Sequence, residues 1–311
     1  MSPVRRLRGQ DASLVAFLAA EQLSRHASRE PLVSSDFDRI GFEQALGASF
    51  SPTWVDDSNG RLRGHLFGAT LEDELHGRQT WTGPDGWSFL YEDSLDRLLD
   101  WALPYWRDEG STSHIVWVPV GLDTEAWASR EYTMVSLRAG LDLAEANLPE
   151  VMTHENSSLT VRRGTEDDFE TALAFDALID VAQGVDLESL SEAERVINQR
   201  QLHDTLSDPE THYYLLEIDG MPVAQCVTFP LPELRGSYPN TIYVSDVAVT
   251  PELRGRGHGQ YIVRTALHDA LRANFTHAEV RWRVTNDLAA RTWRTLGFRP
   301  TYAQMRRNLI D

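Results

Sequence analysis

Three glycines at alternate positions, Gly255, Gly257 and Gly259, follow an apolar segment that ends before Pro251. Glycine lets a backbone approach a ligand closely, and a helix is predicted to begin within this loop. The N–H groups at a helix N-terminus have no partner inside the helix, and the helix dipole favours an anion there. The spacing therefore predicts a loop that holds a diphosphate through its backbone; a flexible surface loop is the alternative interpretation.

Two better-known phosphate-binding motifs do not fit this loop. The chain contains no lysine, so the Gly-Lys-Ser/Thr of a Walker loop is absent. The glycines also lack the further spacing of a dinucleotide fingerprint. Because lysine is missing, chemistry through a lysine Schiff base or a lysine general base is also excluded.

The segments around the loop have the pattern of a mixed α/β domain. Apolar runs and alternation predict strands, and 3.6-residue periodicity predicts helices. The strands are expected at 159–163, 212–218, 222–229, 241–249, 278–284 and near 301–309. The helices are expected near 166–182, 191–206, 257–273 and 287–296. A strand therefore leads into the glycine loop and a helix leads out of it.

The loop and a second motif resemble the GNAT superfamily of N-acetyltransferases. That family has Gln/Arg-x-x-Gly-x-Gly/Ala after a strand ending in Val-x-Pro; here residues 254–259 read Arg-Gly-Arg-Gly-His-Gly and follow Val-Thr-Pro at 249–251. The family's second motif is Asn-x-x-Ala, then an aromatic position and Gly-Phe. The similar positions of this chain are Asn286, Ala289, Trp293, Gly297 and Phe298. The resemblance covers residues 158–311.

The resemblance implies acetyl-CoA as the acyl donor and direct attack of an amine on its thioester. It implies that the strand before the loop binds the pantetheine arm and that backbone N–H groups of 255–260 bind the pyrophosphate. The implied cofactor-binding residues are Val247, Ala248, Val249, Arg254, Gly255, Arg256, Gly257, His258, Gly259, Gln260, Asn286 and Trp293.

Two positions depart from the family pattern. Many members carry a tyrosine that protonates the leaving thiolate where this chain has Trp293, and many carry a glutamate base where it has Ser245. The adjacent Asp246 is the candidate general base, and Tyr302 is the candidate substitute for the acid. A structural carboxylate is the alternative for Asp246, and the amine can also lose its proton through ordered water.

Short segments recur in the two halves of the chain in the same order. Val-Arg-Arg at 4–6 recurs at 161–163, and the Asn-Gly at 59–60 recurs as Asp-Gly at 219–220. Both dipeptides favour hairpin turns. We therefore expect two tandem GNAT-like domains with mixed sheets. Their expected bounds are 1–145 and 158–311, with a linker at 146–157.

The first half differs where its own phosphate loop is expected. Residues 82–93 lack Gly-x-Gly and end in Glu92-Asp93. These carboxylates would repel a diphosphate. The N-terminal domain is therefore expected to be a degenerate GNAT-like fold that covers the catalytic half and shapes the amine pocket.

Composition narrows the function classes. The 29 basic and 47 acidic residues give a net charge of −18, which argues against nucleic acid or an anionic membrane as partner and mildly favours a cationic substrate. No apolar run approaches the length of a membrane span, and we interpret residues 11–21 as an amphipathic helix rather than a signal peptide. With Cys226 as the one cysteine, the sequence predicts a cytoplasmic protein. The histidines lack ligand spacing, so no metal site is expected.

The sequence thus predicts an acetyl-CoA-dependent N-acetyltransferase that acts on a primary amine of a small molecule. Its tandem architecture is similar to that of mycothiol synthases and of small-molecule or antibiotic acetyltransferases. Transfer of a longer acyl group, or transfer to a peptide N-terminus, is one alternative. A non-catalytic acyl-CoA sensor or interaction protein is another, and Trp293 together with the missing glutamate keeps it open.

Overall fold

A computed structural model describes residues 3–48, 51–58, 60–146, 148, 159–232 and 236–310. The chain forms two compact units. Unit 1 comprises Met1–Leu137, Arg235–Ser237 and Pro300–Asp311, and unit 2 comprises Arg138–Leu234 and Tyr238–Arg299. The last strand of the chain thus belongs to unit 1. The expected linker at 146–157 lies outside the described residues except at 146 and 148, so the expected domain bounds stay a prediction.

Unit 1 combines two sheets with helices. Its strands are β1 (Val4–Arg6), β2 (Trp54–Ser58), β3 (Arg61–Leu66), β4 (Ala69–Asp73), β5 (Gly77–Thr82), β6 (Trp87–Phe89) and β7 (Ser113–Pro119). Its helices are α1 (Ala12–Ala27), α2 (Arg39–Ala48), α3 (Glu92–Asp108) and α4 (Thr124–Ala128). One sheet has the order β1-β2-β3-β6. The other has the order β4-β5-β7-β14, where β14 (Arg299–Asn308) is antiparallel to β7. The strand β8 (Thr133–Asp142) contributes residues to both units.

Unit 2 contains the glycine loop in a mixed sheet. Its strands are β9 (Leu159–Arg163), β10 (His212–Ile218), β11 (Met221–Pro230), β12 (Thr241–Val249) and β13 (His277–Arg283). Its helices are α5 (Phe169–Ala182), α6 (Glu192–Ser207), α7 (His258–Arg272) and α8 (Asp287–Thr295). The order is β13-β12-β11-β10-β9, with β12 and β13 parallel and the other pairs antiparallel. The predicted elements of this half are all present, with ends shifted by a few residues.

Two helices cover the sheet of unit 2 because each presents an apolar stripe. On α7 the buried residues recur three or four positions apart, from Ile262 to Ala270. On α5, Ala172 and Phe175 pack against a cluster that includes Val227 of β11 and Ala248 of β12. This packing holds β12 and its following loop in place.

The internal repeat is visible as a repeated ion-pair network. Arg5 donates to Asp11 at 2.6 Å and to Asp57 at 2.9 Å. In the second half, Arg162 donates to Asp168 and to Glu217, each at 2.7 Å. In each network one arginine joins the first strand to the turn before the first helix and to a hairpin strand.

The hairpins also share a register shift. In the β2–β3 pair it lies between Asp56 and Asp57, and in the β10–β11 pair it lies between Leu216 and Glu217. The two positions are 160 residues apart, as are the predicted hairpin turns. The two halves are therefore built on one plan.

The arginine of the second network should stabilise the fold in a pH-dependent way. Hydrogen bonds from Arg162 lower the pKa of Asp168 to about 2. A lowered carboxyl pKa contributes stability above the unfolded pKa, and that contribution is lost as the pH falls toward 2. Because Arg162 is partly exposed, we expect Arg162→Gln to cost about 1–2 kcal/mol at pH 7. Urea unfolding of wild type and variant at pH 7 and at pH 2.5 measures this.

Arg61→Gln is the control, since Arg61 is exposed on β3. The control should change stability little at either pH. A cost for Arg162→Gln that is the same at pH 7 and pH 2.5 would contradict the assignment.

Candidate functional site

The loop after β12 adopts backbone conformations that require glycine. Pro251 begins a short 3₁₀ turn, Pro251–Leu253, and proline has no N–H with which to continue a strand ladder. Gly255 and Gly257 then have φ of +76° and +87°, in the left-handed region that side chains disfavour. Gly259 is restricted differently, because a Cβ there would lie 3.3 Å from a methyl group of Val249. Backbone conformation at Gly255 and Gly257, and close packing at Gly259, thus explain why each position of the motif is glycine.

A row of backbone donors is free in this loop. The N–H of Tyr261 donates to the carbonyl of Gly257 at 2.9 Å, which closes the first turn of α7. The six preceding N–H groups, of residues 255–260, have no acceptor among the described residues. Consecutive free N–H groups at the N-terminus of a 15-residue helix form an anion site.

The strand β12 separates from β13 just before this loop. The two strands pair only from Thr241↔His277 to Val244↔Val280. Both strands continue further, β12 to Val249 and β13 to Arg283, but they no longer pair with each other. The backbone of 245–249 therefore has a neighbouring strand, β11, on one side only.

The free side of β12 opens on a cavity of about 320 Å³. Eleven of the twelve residues implied to bind the cofactor line it, and Arg256 does not. The eleven are Val247, Ala248, Val249, Arg254, Gly255, Gly257, His258, Gly259, Gln260, Asn286 and Trp293. Residues of α5 and α8 complete the wall: Leu178, Ile179, Ala182, Leu288, Ala289, Arg291, Thr292 and Thr295, with Leu253 from the loop.

The second motif forms the opposite wall of this cavity. The side chain of Asn286 accepts the N–H of Ala289 at 3.0 Å and so caps α8. Trp293 lies on α8, is 5% exposed, and packs edge-on against Phe298 with ring centroids 5.5 Å apart. The two residues that the sequence singled out separately are thus brought to one site, and both also have structural roles.

Asp246 lies at a bulge in β12, directly before the residues that line the cavity. Cys226 pairs with Val247 and Thr228 with Val244, so two residues of β12 stand opposite one residue of β11. The hydroxyl of Ser245 donates to the Asp246 carboxylate at 2.7 Å. Burial raises the pKa of Asp246, and the Ser245 hydrogen bond and the positive charge of Arg281 oppose this rise.

Tyr302 is not among the residues that line the cavity. It belongs to unit 1, is 1% exposed, and packs with Leu23 and Val33. Its ring contacts His26 edge-on at 4.7 Å. The structure thus surrounds this tyrosine with core residues of unit 1.

Two carboxylates that the sequence did not single out lie on α5. Burial and the charges of Asp246 and Asp180 raise the pKa of Asp176 to about 7. Burial and Asp246 also raise the pKa of Asp180, against the opposing charge of Arg283. Two aspartates four residues apart, in a helix whose other residues after Thr171 are apolar, were the signal that could have identified them.

The start of α3 in unit 1, which corresponds to the start of α7 in unit 2, contains different residues and contacts. The helix α3 begins at Glu92, and Asp93 in its first turn accepts a hydrogen bond from Arg97 at 2.6 Å. Arg97 also donates to the fully buried Asp56 at 2.7 Å. Carboxylates tied to an arginine occupy this helix start. Loss of cofactor binding in the first half stays a prediction.

Two negative findings concern the described part of the chain only. Its histidine, cysteine, aspartate and glutamate side chains form no group of three or more that could hold a metal ion. Within the same residues, none of the helices has the length and apolar character needed to cross a bilayer.

Residues 177–298 match the acetyltransferase (GNAT) family. These residues include the α5 wall of the cavity, the glycine loop and both strands that separate there. No curated protein matches the chain in sequence.

Solved structures of similar fold cover nearly the whole chain. A GCN5-related N-acetyltransferase from Sphaerobacter thermophilus is 15% identical, covers 99% of this chain and 96% of its own, and has a TM-score of 0.63. A tandem GNAT protein from the clavulanic acid biosynthesis pathway is 15% identical, with 99% and 98% coverage and a TM-score of 0.55. At such identities the similarity shows the fold, which confirms the predicted tandem GNAT architecture. Residues 177–298 therefore form an acyltransferase domain of the GNAT family, and the chain has the fold of tandem GNAT proteins.

Proposed function

We propose that this protein is an acetyl-CoA-dependent N-acetyltransferase that acetylates a primary amine of a small molecule. The observation that carries the proposal is the row of free N–H groups at residues 255–260, which opens on the cavity beside the unpaired side of β12. Together they offer one continuous surface for an anionic head and an extended arm.

The loop fits a diphosphate without lysine. At Gly255 and Gly257 an added Cβ would meet no protein atom within 4 Å, so the space above the N–H groups is open. Arg254 and Arg291 line the same cavity and supply positive charge. These features support binding of the pyrophosphate of coenzyme A through the backbone of 255–260.

The unpaired backbone of β12 fits the pantetheine arm. Residues 247–249 line the cavity and have no strand partner on the β13 side. Free backbone donors and acceptors need partners, and the amide groups of an extended arm can supply them as a further strand would. This supports the assignment of Val247, Ala248 and Val249 to cofactor binding.

The bound cofactor would supply an activated acetyl thioester. The chain must then orient the amine, exclude water and accept a proton from nitrogen. We propose that a carboxylate accepts this proton, and the candidate from the sequence is Asp246, which directly precedes the cavity. Trp293 has no acidic proton in the useful range, so we propose that solvent protonates the leaving thiolate.

Binding stoichiometry tests the proposal first. We expect titration calorimetry with acetyl-CoA to give one site per chain in the micromolar range, since one half carries the free N–H row. Release of free thiol in the presence of amines then tests transfer. Binding without thiol release from any amine would favour a sensor. Two sites per chain would contradict the loss of binding in the first half, and no binding by folded protein would contradict the proposal.

A side chain at Gly257 should abolish cofactor binding. In Gly257→Val the new side chain would fill the space over the free N–H groups, so we expect acetyl-CoA affinity to fall by more than about 100-fold, roughly the value of two charge-assisted hydrogen bonds. Calorimetry measures the loss.

The matched control is Gly121→Val. Gly121 has φ of +76°, also has open space around it, and lies in unit 1. The control should share the backbone strain and keep the affinity. Equal acetyl-CoA affinity in both variants would contradict the assignment of the glycine loop to cofactor binding.

Asp246→Asn should lower turnover while acetyl-CoA affinity stays near normal. The change removes the negative charge beside the cavity and keeps the shape of the side chain. Steady-state kinetics across pH, with calorimetry on the same variant, separates the two effects. Wild-type turnover at every pH would exclude any catalytic contribution from this carboxylate.

A further inference from the structure

We propose that Asp176 of α5 binds the ammonium group of the acceptor and takes its proton, and that the acceptor carries a primary amine on a short alkyl arm. This inference rests on the proposed function and assigns its substrate class and a further catalytic residue.

Asp176 is a carboxylate with no protein partner. It is partly buried, and no hydrogen bond or ion pair reaches it from the described residues. On one side of Asp176 around α5, Ala172 and Phe175 face the sheet. On the other side, Leu173 and Ala177 face a second cavity, which Asp176 also lines. Partly buried carboxylates are normally paired, so this one is available to a ligand.

That second cavity has a volume of about 120 Å³. It has room for about four water-sized groups, which is the size of a short aminoalkyl arm. Leucine and alanine side chains can cover the methylene groups, and the two aspartates can receive the charged end. The side chains concerned are Leu173, Ala177, Leu187 and Leu190, with Asp176 and Asp180.

A fully buried acceptor lies on the sheet beneath the same helix. Gln225 of β11 is 1% exposed, and its Oε1 has no hydrogen-bond partner among the described residues. It pairs across the strands with Ala248, which packs against α5, so its side chain faces α5. An unsatisfied buried acceptor is costly. Gln225 thus leaves an unpaired acceptor on the face of the sheet that α5 covers, while Asp176 lines the second cavity and can accept hydrogen bonds from an ammonium group.

Asp246 connects this place to the cofactor cavity. It lies on β12 directly before Val247, where the cofactor cavity begins, and its charge acts on both Asp176 and Asp180. Leu178 and Ile179 line the cofactor cavity and lie less than one helical turn beyond Asp176 on α5, so an amine held at Asp176 is near that cavity.

The cations near this place act on other groups. Arg281 of β13 offsets the charge of Asp246, and Arg283 of the same strand offsets that of Asp180. Arg195 of α6 lines the second cavity and donates to the carbonyl of Leu187 at 3.3 Å. In the described part of the chain, none of these arginines forms an ion pair with Asp176.

Such a carboxylate suits the proton transfer. A base works best when its pKa is near the working pH, and the pKa of Asp176 is raised to about 7. The ammonium group first loses a proton to Asp176. The nitrogen lone pair then forms the C–N bond, the C–S bond breaks with its electrons on sulfur, and the nitrogen loses its second proton to solvent. The thiolate takes a proton from water.

The decisive variant is Asp176→Asn, which keeps the shape and removes the charge. The probes are glucosamine, 1,4-diaminobutane and glycinamide, and kcat/KM is measured against pH for the best of them. We expect acetyl-CoA affinity to stay within about twofold, kcat/KM to fall about 100-fold, and the limb of the pH profile near 7 to disappear. Asp167→Asn, an exposed aspartate that precedes α5, is the control and should match wild type.

The Asp246→Asn variant shows whether Asp176 or Asp246 acts as the base. If Asp176 is the base, removing the Asp246 charge should keep the limb and move it to lower pH, because that charge raises the pKa of Asp176. If Asp246→Asn removes the limb and Asp176→Asn merely moves it, Asp246 is the base and the proposal is overturned. Unchanged kcat/KM in Asp176→Asn also overturns it.

Thermal unfolding gives a readout that does not need turnover. A raised carboxyl pKa means that stability present at pH 4 is lost as the pH rises through 7, and Asp176→Asn should remove this loss. An amine from the panel should raise the Tm of wild type and not that of Asp176→Asn. A wild-type Tm that responds to none of these amines would overturn the proposal. Failure of acetyl-CoA to bind the wild-type protein would instead contradict the proposed function. The experiments therefore distinguish an error in the role of Asp176 from an error in the proposed function.

Discussion

The end of β12–β13 pairing at Val244 is the constraint on which the site depends. Beyond it, β12 has a partner on one side only, and the cavity lies on the other. The bulge at Ser245 and Asp246 falls at the same place, and bulges bend a strand and re-aim its side chains. One departure from regular pairing thus yields a free strand edge, an opening for a ligand and a carboxylate at its start.

The carboxylates of unit 2 divide into two kinds by their surroundings. Asp168 is bound by Arg162, its pKa is lowered, and it stabilises the fold at neutral pH. Asp176, Asp180 and Asp246 lie near one another with raised pKa values, so their ionisation costs stability. Groups that weaken a fold are expected where ligands bind, because the ligand supplies the missing partner.

The internal repeat separates what holds the fold from what binds. Both halves keep the arginine network and the hairpin register shift. They differ at the start of the helix that follows the loop. In unit 2 glycines expose a row of N–H groups there, while in unit 1 Arg97 ties Asp93 and the buried Asp56 together. The framework interactions recur because each half needs them to fold, whereas the binding loop is free to differ.

The sequence alone determined the features that depend on local backbone. The glycine loop, the strand and helix around it, and the repeat were readable because left-handed φ values, hairpin turns and apolar periodicity act over a few residues. Tertiary structure decided which distant residues meet. It set Tyr302 in the core of unit 1 and placed Asp176 of α5 where the charge of Asp246 on β12 acts on it. The burial of Asp176 and the charge of Asp246, which lies 70 residues further along the chain, depend on tertiary structure, so no local pattern could predict the pKa of Asp176.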